Sequence, residues 1–322
     1  MAIVNSSVVL PVDYARGVIT GLLGRSKALE LGYELPRMRG KTTRLNVLSA
    51  LPYAYWVKNS ATPTDGNTPN GYPSEIKNKP LTQLAWAGKD VIAETIACIV
   101  PVSKETLADV SDYVDLAGVI QEQVIGAFQE VIDATLFFGT NSPWADYAGV
   151  VPASKTAGAV VNWDGQEGLS FYYAVSDAME YVETSGYIPD AILGGPRLNS
   201  ALRRAITALG INVMDQGQIG GLYKHISLTG GFNEDDAFAI VGDFKRGLVF
   251  AFREEINMSL SQDATLVDPS TGNVLYNLFQ QDMVAFRFEL RMGAQIANPV
   301  NRINSTDNRF PFAVITKAGG SN

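Results

Sequence analysis

The sequence predicts an α+β fold, in which one long helix and several shorter helices are combined with a β-rich C-terminal half. Apolar residues between 107 and 138 recur at steps of three and four, which is the spacing of one face of a helix. From residue 237 onward, short apolar or alternating segments separated by turn residues indicate strands. Between these parts, helical and strand patterns alternate over residues 151–251, which is typical of a mixed lobe.

The long helix is the strongest local signal. We expect it to cover residues 115–138, with Asp112 or Asp115 as its N-cap and Gly139 at its end. About 24 residues of helix span about 36 Å, which is enough to cross a whole domain. Its buried face is predicted from the apolar positions Leu116, Ile120, Val124, Ala127, Val131, Ala134 and Phe138.

Shorter elements complete the pattern. Further helices are predicted over residues 11–31, 169–184 and 197–209. Strands are predicted over residues 191–193, 237–241, 247–252, 256–260 and 284–291. Residues 268–273 have turn chemistry, and residues 304–322 form a mostly polar tail.

Two segments do not have the pattern of a core. Residues 53–80 contain four prolines among glycines and asparagines, and their flanks at 54–57 and 84–87 read as strands, so a long two-stranded excursion with an exposed loop is expected. Residues 37–44 form a basic arm without acidic residues. Neither segment has an evident partner in its own chain, so neighbouring copies are expected to supply the contacts. The basic residues of the arm are Arg37, Arg39, Lys41 and Arg44.

Composition excludes several function classes. The net charge of -8 argues against a protein that wraps nucleic acid with a basic face. The chain has one histidine, His225, expected at the surface or in packing, and one cysteine, Cys98, expected as a buried thiol, so neither an intrachain disulfide nor a usual structural zinc site is possible. The N-terminus does not resemble a signal peptide, and no apolar stretch approaches the roughly 20 residues of a membrane helix. These features predict folding in a cytoplasm.

Catalytic motifs are equally scarce. The segment Gly40-Lys41-Thr42-Thr43 resembles the end of a phosphate-binding loop, but Leu35 stands where the motif needs a glycine. The adjacent acids Asp235–Asp236 and Glu254–Glu255 do not form an acid/base pair, because neighbours on a strand point to opposite faces. The sequence therefore predicts a protein that is not an enzyme and has no cofactor or metal, with a hydrolase of unrecognised type as the alternative from another class.

The order of elements resembles the major capsid proteins of tailed bacteriophages, which have the Hong Kong phage fold that encapsulins share. Residues 95–105 are similar to the strand that leads from the extended loop into the family's spine helix, and residues 115–139 to that helix. Val241-Gly242-Asp243-Phe244 resembles the turn before the late strands. Residues 281–293, followed by Asn298-Pro299, resemble the closing block. The resemblance covers most of residues 45–303.

The resemblance implies a division of the chain. The N-terminal arm would be 1–44, the extended loop 53–92, and the C-terminal tail 304–322. The peripheral domain would comprise 45–52, 93–150 and 252–291, with the spine helix at about 115–138. The axial domain would comprise 151–251 and 292–303.

The resemblance also implies a function. Such a protein self-assembles into hexamers and pentamers that form an icosahedral shell around double-stranded DNA, without sequence-specific binding. The acidic chain suits this role, because acidic walls repel phosphate. The implied partners are other copies, a separate scaffold protein, a portal and decoration proteins. We expect assembly in the host bacterial cytoplasm, residence in the virion and no N-terminal processing. An encapsulin shell protein is the alternative within the same fold.

The founding member of this fold joins a lysine of the extended loop to an asparagine of a neighbour, assisted by a glutamate seven residues after that asparagine. Here Glu289 aligns with the glutamate, and Asp282 stands in the place of the asparagine. An ionised carboxylate is a poor electrophile. Lys89 is one residue out of register with the lysine, and Lys77 and Lys79 are further away. The sequence therefore predicts a shell without covalent cross-links.

In such a shell Glu289 would be a structural carboxylate paired with Arg287 or Arg291. The assembly contacts inferred from the resemblance are Arg37, Arg39, Lys41, Arg44, Lys77, Lys79, Lys89, Asp282 and Glu289.

Overall fold

The computed structural model describes residues 26–52, 84–111, 116–166, 169–205, 218–304 and 309–317. Its helices are α1 (Lys27–Leu31), α2 (Lys104–Ser111), α3 (Leu116–Phe138), α4 (Val150–Thr156), α5 (Leu169–Thr184), α6 (Pro196–Arg204) and α7 (Phe244–Gly247). The first strands are β1 (Tyr33–Glu34), β2 (Thr42–Ala50), β3 (Ala85–Ile92), β4 (Glu94–Ser103), β5 (Val160–Trp163), β6 (Ala191–Gly194) and β7 (Gln218–Ile219). The later strands are β8 (Leu222–Ile226), β9 (Ala239–Gly242), β10 (Leu248–Ser261), β11 (Thr265–Val267), β12 (Val274–Asn277), β13 (Met283–Ile296) and β14 (Phe312–Lys317).

Local sequence signals explain where several helices begin and end. The Ser26 side chain caps α1, and the Asp243 carboxylate accepts a hydrogen bond from the Arg246 backbone N–H at 3.1 Å to cap α7. Pro196 occupies the first turn of α6, where its missing N–H costs nothing. Gly139 ends α3 at a φ of 69°, a conformation that favours glycine.

A four-stranded sheet with the order β1-β10-β13-β4 supports the long helix. The strands β10 and β13 have 14 residues each and run antiparallel. The two strands predicted over 247–252 and 256–260 are a single strand, β10, with register shifts on either side of Glu254. A β-bulge keeps such a strand continuous while it bends, and this interruption of the alternation is why the sequence pattern splits it in two.

The bounds of α3 agree with the sequence prediction, and its predicted buried face is confirmed at Val124 but wrong at Ala127 and Val131. The helix packs on the core through Val124, Phe128 and Ile132, each at most 5% exposed. Ala127 and Val131, which the prediction placed in the core, are exposed. Apolar residues lie on nearly every side of this helix, so the apolar spacing alone does not identify the stripe that meets the sheet.

A six-stranded sheet with the order β5-β14-β9-β6-β8-β7 forms the second layer. Its central strands alternate between two cores, as period-two side chains must. Leu193 and Ile240 face the core that contains α3 and the four-stranded sheet. Ile192 and Val241 face a second core formed with α5 and α6. This sheet is therefore buried on both faces.

The predicted C-terminal tail at 304–322 is wrong for residues 312–317, which form β14. This strand lies inside the six-stranded sheet, parallel to β5 and antiparallel to β9. Phe312, Ala313, Val314 and Ile315 are completely buried. A six-residue strand among polar neighbours gives a weak pattern, so its burial follows from the sheet rather than from its own sequence.

Strands β2 and β3 form a separate antiparallel ribbon, with Thr42 opposite Ile92 at its base. The basic arm predicted over 37–44 is therefore a strand from Thr42 onward. The strand predicted at 84–87 is confirmed from Ala85, whereas the segments 54–57 and 53–80 lie outside the described residues. The ribbon base crosses β13 closely, since a Cβ on Gly293 would lie 2.6 Å from the Ile92 carbonyl oxygen.

Candidate functional site

The basic residues before the ribbon have acidic partners in their own chain. Arg37 Nη1 lies 3.3 Å from Glu255 Oε1, and its Nε donates a hydrogen bond to the Arg253 carbonyl at 3.0 Å. Lys41 Nζ lies 3.3 Å from Glu94 Oε1. The prediction that this arm lacks partners within the chain is thus wrong for these residues, because β10 and β4 place acids beside it.

The ribbon itself carries a paired arginine. Arg44 and Asp90 are directly opposite in register, and Arg44 Nε and Nη2 donate to the two carboxylate oxygens of Asp90 at 2.8 and 3.0 Å. This hydrogen bonding lowers the pKa of Asp90. Both side chains are exposed, so the pair orients the ribbon more than it stabilises it. Arg39 is exposed.

The lysine nearest the cross-linking position is already engaged. Lys89 Nζ donates a hydrogen bond to the Ile296 carbonyl oxygen at 2.8 Å, and burial lowers the pKa of Lys89. Asp282 precedes the opposite end of β13, where its side chain is 83% exposed and lies 3.8 Å from Lys104 Nζ. Ile296, to which Lys89 is bound, is the last residue of the 14-residue strand β13. It therefore lies about 45 Å from Asp282 at the other end of the strand. Lys77 and Lys79 lie outside the described residues.

The closing strand carries two ion pairs. Arg287 Nη2 donates to Glu289 Oε1 at 2.6 Å, so Glu289 has one of its two predicted partners. Arg291 instead donates to Glu254 Oε1 on β10 at 2.9 Å. Residues 287, 289 and 291 share one face of β13, because side chains alternate along a strand. Glu289 is thus paired with a residue of its own strand.

Sequence reasoning missed a buried carboxylate on the long helix. Asp133 is completely buried and accepts four hydrogen bonds. Its Oδ1 accepts from Ser26 Oγ at 2.7 Å and from the Ala28 backbone N–H at 3.1 Å, and its Oδ2 accepts from Thr229 Oγ1 at 2.8 Å and the Lys27 backbone N–H at 3.3 Å. Burial raises the pKa of Asp133, and these hydrogen bonds oppose the rise. The carboxylate thereby joins α1, α3 and the segment after β8.

The single histidine belongs to the same region. His225 Nδ1 lies 3.5 Å from Glu30 Oε1, and Glu30 also pairs with Lys27. Burial lowers the pKa of His225. His225 is therefore a partly buried packing residue on β8, as the sequence predicts, and helps to hold α1 against the rest of the chain.

No catalytic constellation emerges from the residues that the structure describes. Thr42 begins β2 rather than a helix, so Gly40-Lys41-Thr42-Thr43 does not have the strand–loop–helix geometry of a phosphate-binding loop. Cys98 is half-buried against the core rather than fully buried. Within the described ranges, no three His, Cys, Asp or Glu side chains converge as a metal site. In the same ranges, no helix is long and apolar enough to span a membrane.

Exposed apolar side chains lie on both faces of the hairpin β11–β12 and on the residues that follow it. Val274 is 63%, Leu275 54% and Phe279 74% exposed. The tip of this hairpin is well defined, because Asp268 Oδ1 accepts a hydrogen bond from the Ser270 backbone N–H at 2.8 Å. Grouped exposed apolar side chains on an ordered element are typical of a protein–protein contact.

No protein-family model and no curated protein sequence matches the chain, but solved structures do. A structure titled "Microbacterium phage Oxtober96" is 29% identical, with 91% of each chain covered and a TM-score of 0.73. One titled "Mycobacterium phage Cain" is 26% identical, with 92% of each chain covered and a TM-score of 0.74. A "Capsid of empty GTA particle" is 13% identical at a TM-score of 0.56, covers 91% of this chain, and shows the fold alone. The predicted α+β fold and its resemblance to phage capsids are confirmed.

Proposed function

We propose that this chain, a shell protein with the fold of phage capsid proteins, is the major capsid protein of a tailed phage. It would assemble into hexamers and pentamers that enclose double-stranded DNA as the wall of the virion. The observation that carries this proposal is the similarity to phage structures over 91–92% of both chains at TM-scores of 0.73–0.74. A match of this extent leaves little of either chain outside the common fold.

Features of the chain itself support self-assembly. The ribbon exposes large apolar side chains, Trp86 being 61% exposed, and the β11–β12 hairpin exposes others. Such surfaces are expected to be covered by neighbouring copies. The net charge of -8 suits a wall that encloses DNA without binding it tightly. Separate scaffold, portal and decoration proteins would be its other partners.

We assign domains on the same basis. The four-stranded sheet with α3 would be the peripheral domain, and the six-stranded sheet with α5 and α6 the axial domain. The strand Phe312–Lys317 would then be added to the axial domain, because it lies between β5 and β9. The extended loop would begin at Thr42, where the ribbon starts.

Electron microscopy of the purified protein tests the proposal. We expect rings, capsomers or closed shells, whereas a protein that stays monomeric at high concentration contradicts it. Replacing residues 58–80 with a flexible Gly/Ser linker of equal length should leave a folded protein that assembles poorly. Shells that co-purify with an enzyme cargo instead of DNA packaging components would favour the encapsulin alternative.

We further propose that the shell lacks covalent cross-links. The support is chemical: Asp282 offers a carboxylate instead of an amide, and the amine of Lys89 is bound to a carbonyl of its own chain. Denaturing electrophoresis of mature particles should give one band near 34.7 kDa. A ladder of multimers that survives boiling contradicts this part of the proposal alone.

A further inference from the structure

Two helices on the six-stranded sheet carry opposite charges. The charged residues of α5 are all acidic: Asp177, Glu180 and Glu183. The charged residues of α6 are all basic: Arg197, Arg203 and Arg204. Both helices pack on the same face of the sheet, but α5 covers β5, β14 and β9 while α6 covers β8. Arg197 pairs with Glu234 at 3.1 Å, whereas Arg203 and Arg204 lie exposed in the last turn of α6. The charged side chains of α5 that lie over β5 are therefore acidic, and those at the end of α6 are basic.

A groove of about 500 Å³ runs between the acidic helix and the edge strand β5. Asp177, Glu180 and Tyr181 line one wall, one helical turn apart, and Tyr181 is 44% exposed. Tyr173 lies one turn earlier on the same stripe and is 60% exposed. Among the described strands β5 pairs only with β14, so the backbone on its other side is open toward the groove.

The chemistry of this groove suits a guanidinium group. Carboxylates accept its forked N–H donors, an aromatic face stacks on its plane, and an open strand edge offers further carbonyl acceptors. A lysine ammonium would use the charge but not the stacking. The complementary surface on this chain is the last turn of α6, where Arg203 and Arg204 are adjacent and exposed.

We propose that the groove between α5 and β5 binds the Arg203–Arg204 turn of a second copy of this chain. The contact is head to tail, because two acidic α5 surfaces facing each other would repel. The strand order β5-β14-β9-β6-β8 separates the groove from α6 by four strand spacings, about 19 Å, so each copy offers both halves of the contact. A repeated head-to-tail contact forms a ring when the rotation between copies closes and a filament when it does not, and the capsomers of the proposed function require the closed form. The inference rests on the proposed function and names the faces that form the capsomer.

Charge reversal with rescue tests this contact. The double variant Asp177→Arg/Glu180→Arg, and separately Arg203→Glu/Arg204→Glu, should each raise the protein concentration needed for half-maximal assembly at least about tenfold. Combining all four substitutions in one chain should restore assembly to within about threefold of wild type, since the charges then attract again. Native mass spectrometry counts the oligomers, and circular dichroism confirms that each variant is folded.

Matched controls separate this contact from general charge effects. Glu183→Arg reverses an acidic charge on α5 outside the groove and is the control for the acidic side of the contact. Lys245→Glu reverses an exposed basic charge on α7 and is the control for the arginine side. Both should assemble as wild type. If an arginine reversal prevents folding, the neutral variant Asp177→Asn/Glu180→Gln replaces it and should assemble less well than wild type.

The outcomes distinguish the two proposals. Wild-type protein that never forms oligomers overturns the proposed function and the interface with it. If wild type assembles and a folded reversal or neutral variant assembles equally well, the interface alone is overturned. If the chain with all four substitutions does not recover assembly, the interface is again overturned, because only direct pairing of the two surfaces predicts rescue.

Discussion

The six-stranded sheet and the β2–β3 ribbon are both built from hydrogen-bonded strands, yet they are held in place in different ways. The sheet is buried on both faces, and Ile192, Ile240 and Phe312 are completely buried. In the ribbon only Val47 and Val91 are buried, and the other residues of β2 and β3 are exposed or half-buried. A two-stranded ribbon without a packed face is marginally stable by itself. The sheet thus stabilises the monomer, whereas the ribbon depends on what covers it.

Energetics sharpen this contrast. Full burial of one large apolar side chain contributes about 1.5–3 kcal/mol, so the sheet accumulates stability from every strand. The ribbon instead relies on polar contacts such as Arg44–Asp90 and Lys89–Ile296, which lie at or near the surface. Exposed ion pairs contribute little, since water screens the charges. Mutations in the two regions should therefore differ in their effect on the isolated chain.

The largest effect is expected in the sheet. Phe312→Ala should lower the free energy of unfolding by about 3–5 kcal/mol. The substitution empties a completely buried site where Phe312 packs against Phe244 at 5.1 Å between ring centroids. Trp86→Ala on the ribbon is the control and should change the value by at most about 0.5 kcal/mol. Denaturant titration measures both, and equal losses would erase the proposed difference between the two regions.

The next largest effect is expected where α1 meets α3. Asp133→Ala should destabilise the chain by about 2–4 kcal/mol, because it leaves the Ser26 and Thr229 hydroxyls and two backbone N–H groups without their acceptor. Thr184→Ala serves as a control, since its hydroxyl lies at the exposed end of α5. If Asp133→Ala loses no more stability than Thr184→Ala, water replaces the carboxylate as the hydrogen-bond acceptor.

Asp133 also predicts a pH dependence. Burial raises its folded pKa above the unfolded value of about 3.9, so the native state holds this proton more tightly. Its contribution to stability is then fully present below the unfolded pKa and is lost as pH rises through the folded pKa. The stability of wild type relative to Asp133→Asn should fall as pH rises from about 4 toward neutrality. Parallel pH profiles for the two proteins would show that Asp133 keeps an ordinary pKa.

The same contrast explains what the sequence could and could not reveal about the fold. The helix bounds of α3 and α5 follow from local signals, such as the glycine at 139 and apolar spacing. The apolar spacing of α3 does not by itself identify which residues are buried, since Val131 is apolar yet exposed. The strand β14 was missed because its partners β5 and β9 are far away in sequence. The periodicity of a sequence does not reveal which strands pair when they lie far apart along the chain.

Candidate site residues show the same limit. A run of basic residues identifies charge but not its partners, and the acids that pair with Arg37 and Lys41 lie on distant strands. Asp133 was overlooked because it is one of three acids on α3, and the pattern does not distinguish it from the surface positions Glu122 and Glu130. A signal did exist, since Val131-Ile132-Asp133-Ala134 places that acid within an apolar segment. Only the fold brings Ser26 and Thr229 to it.

A smaller effect is expected at the lysine that anchors the ribbon. Lys89→Met keeps the apolar stem but removes the donor to the Ile296 carbonyl, and should cost about 1 kcal/mol. Hydrogen exchange should accelerate over β3 while β6 and β9 stay protected, because only the ribbon loses an anchor. Lys245→Met, at an exposed position, controls for the loss of charge. Uniform acceleration across all strands would contradict a local role for Lys89.

The smallest effect is expected for the exposed pair across the ribbon. Arg44→Gln and Asp90→Asn remove a forked hydrogen-bonded ion pair, yet water solvates both ends once they separate. The unfolding midpoint of the isolated chain should therefore not move measurably, either for each variant or for both combined. The same variants should weaken assembly if the ribbon lies against a neighbour, because the pair fixes the direction in which the ribbon projects. A clear loss of monomer stability would mean instead that the ribbon, like the six-stranded sheet, is stabilised within its own chain.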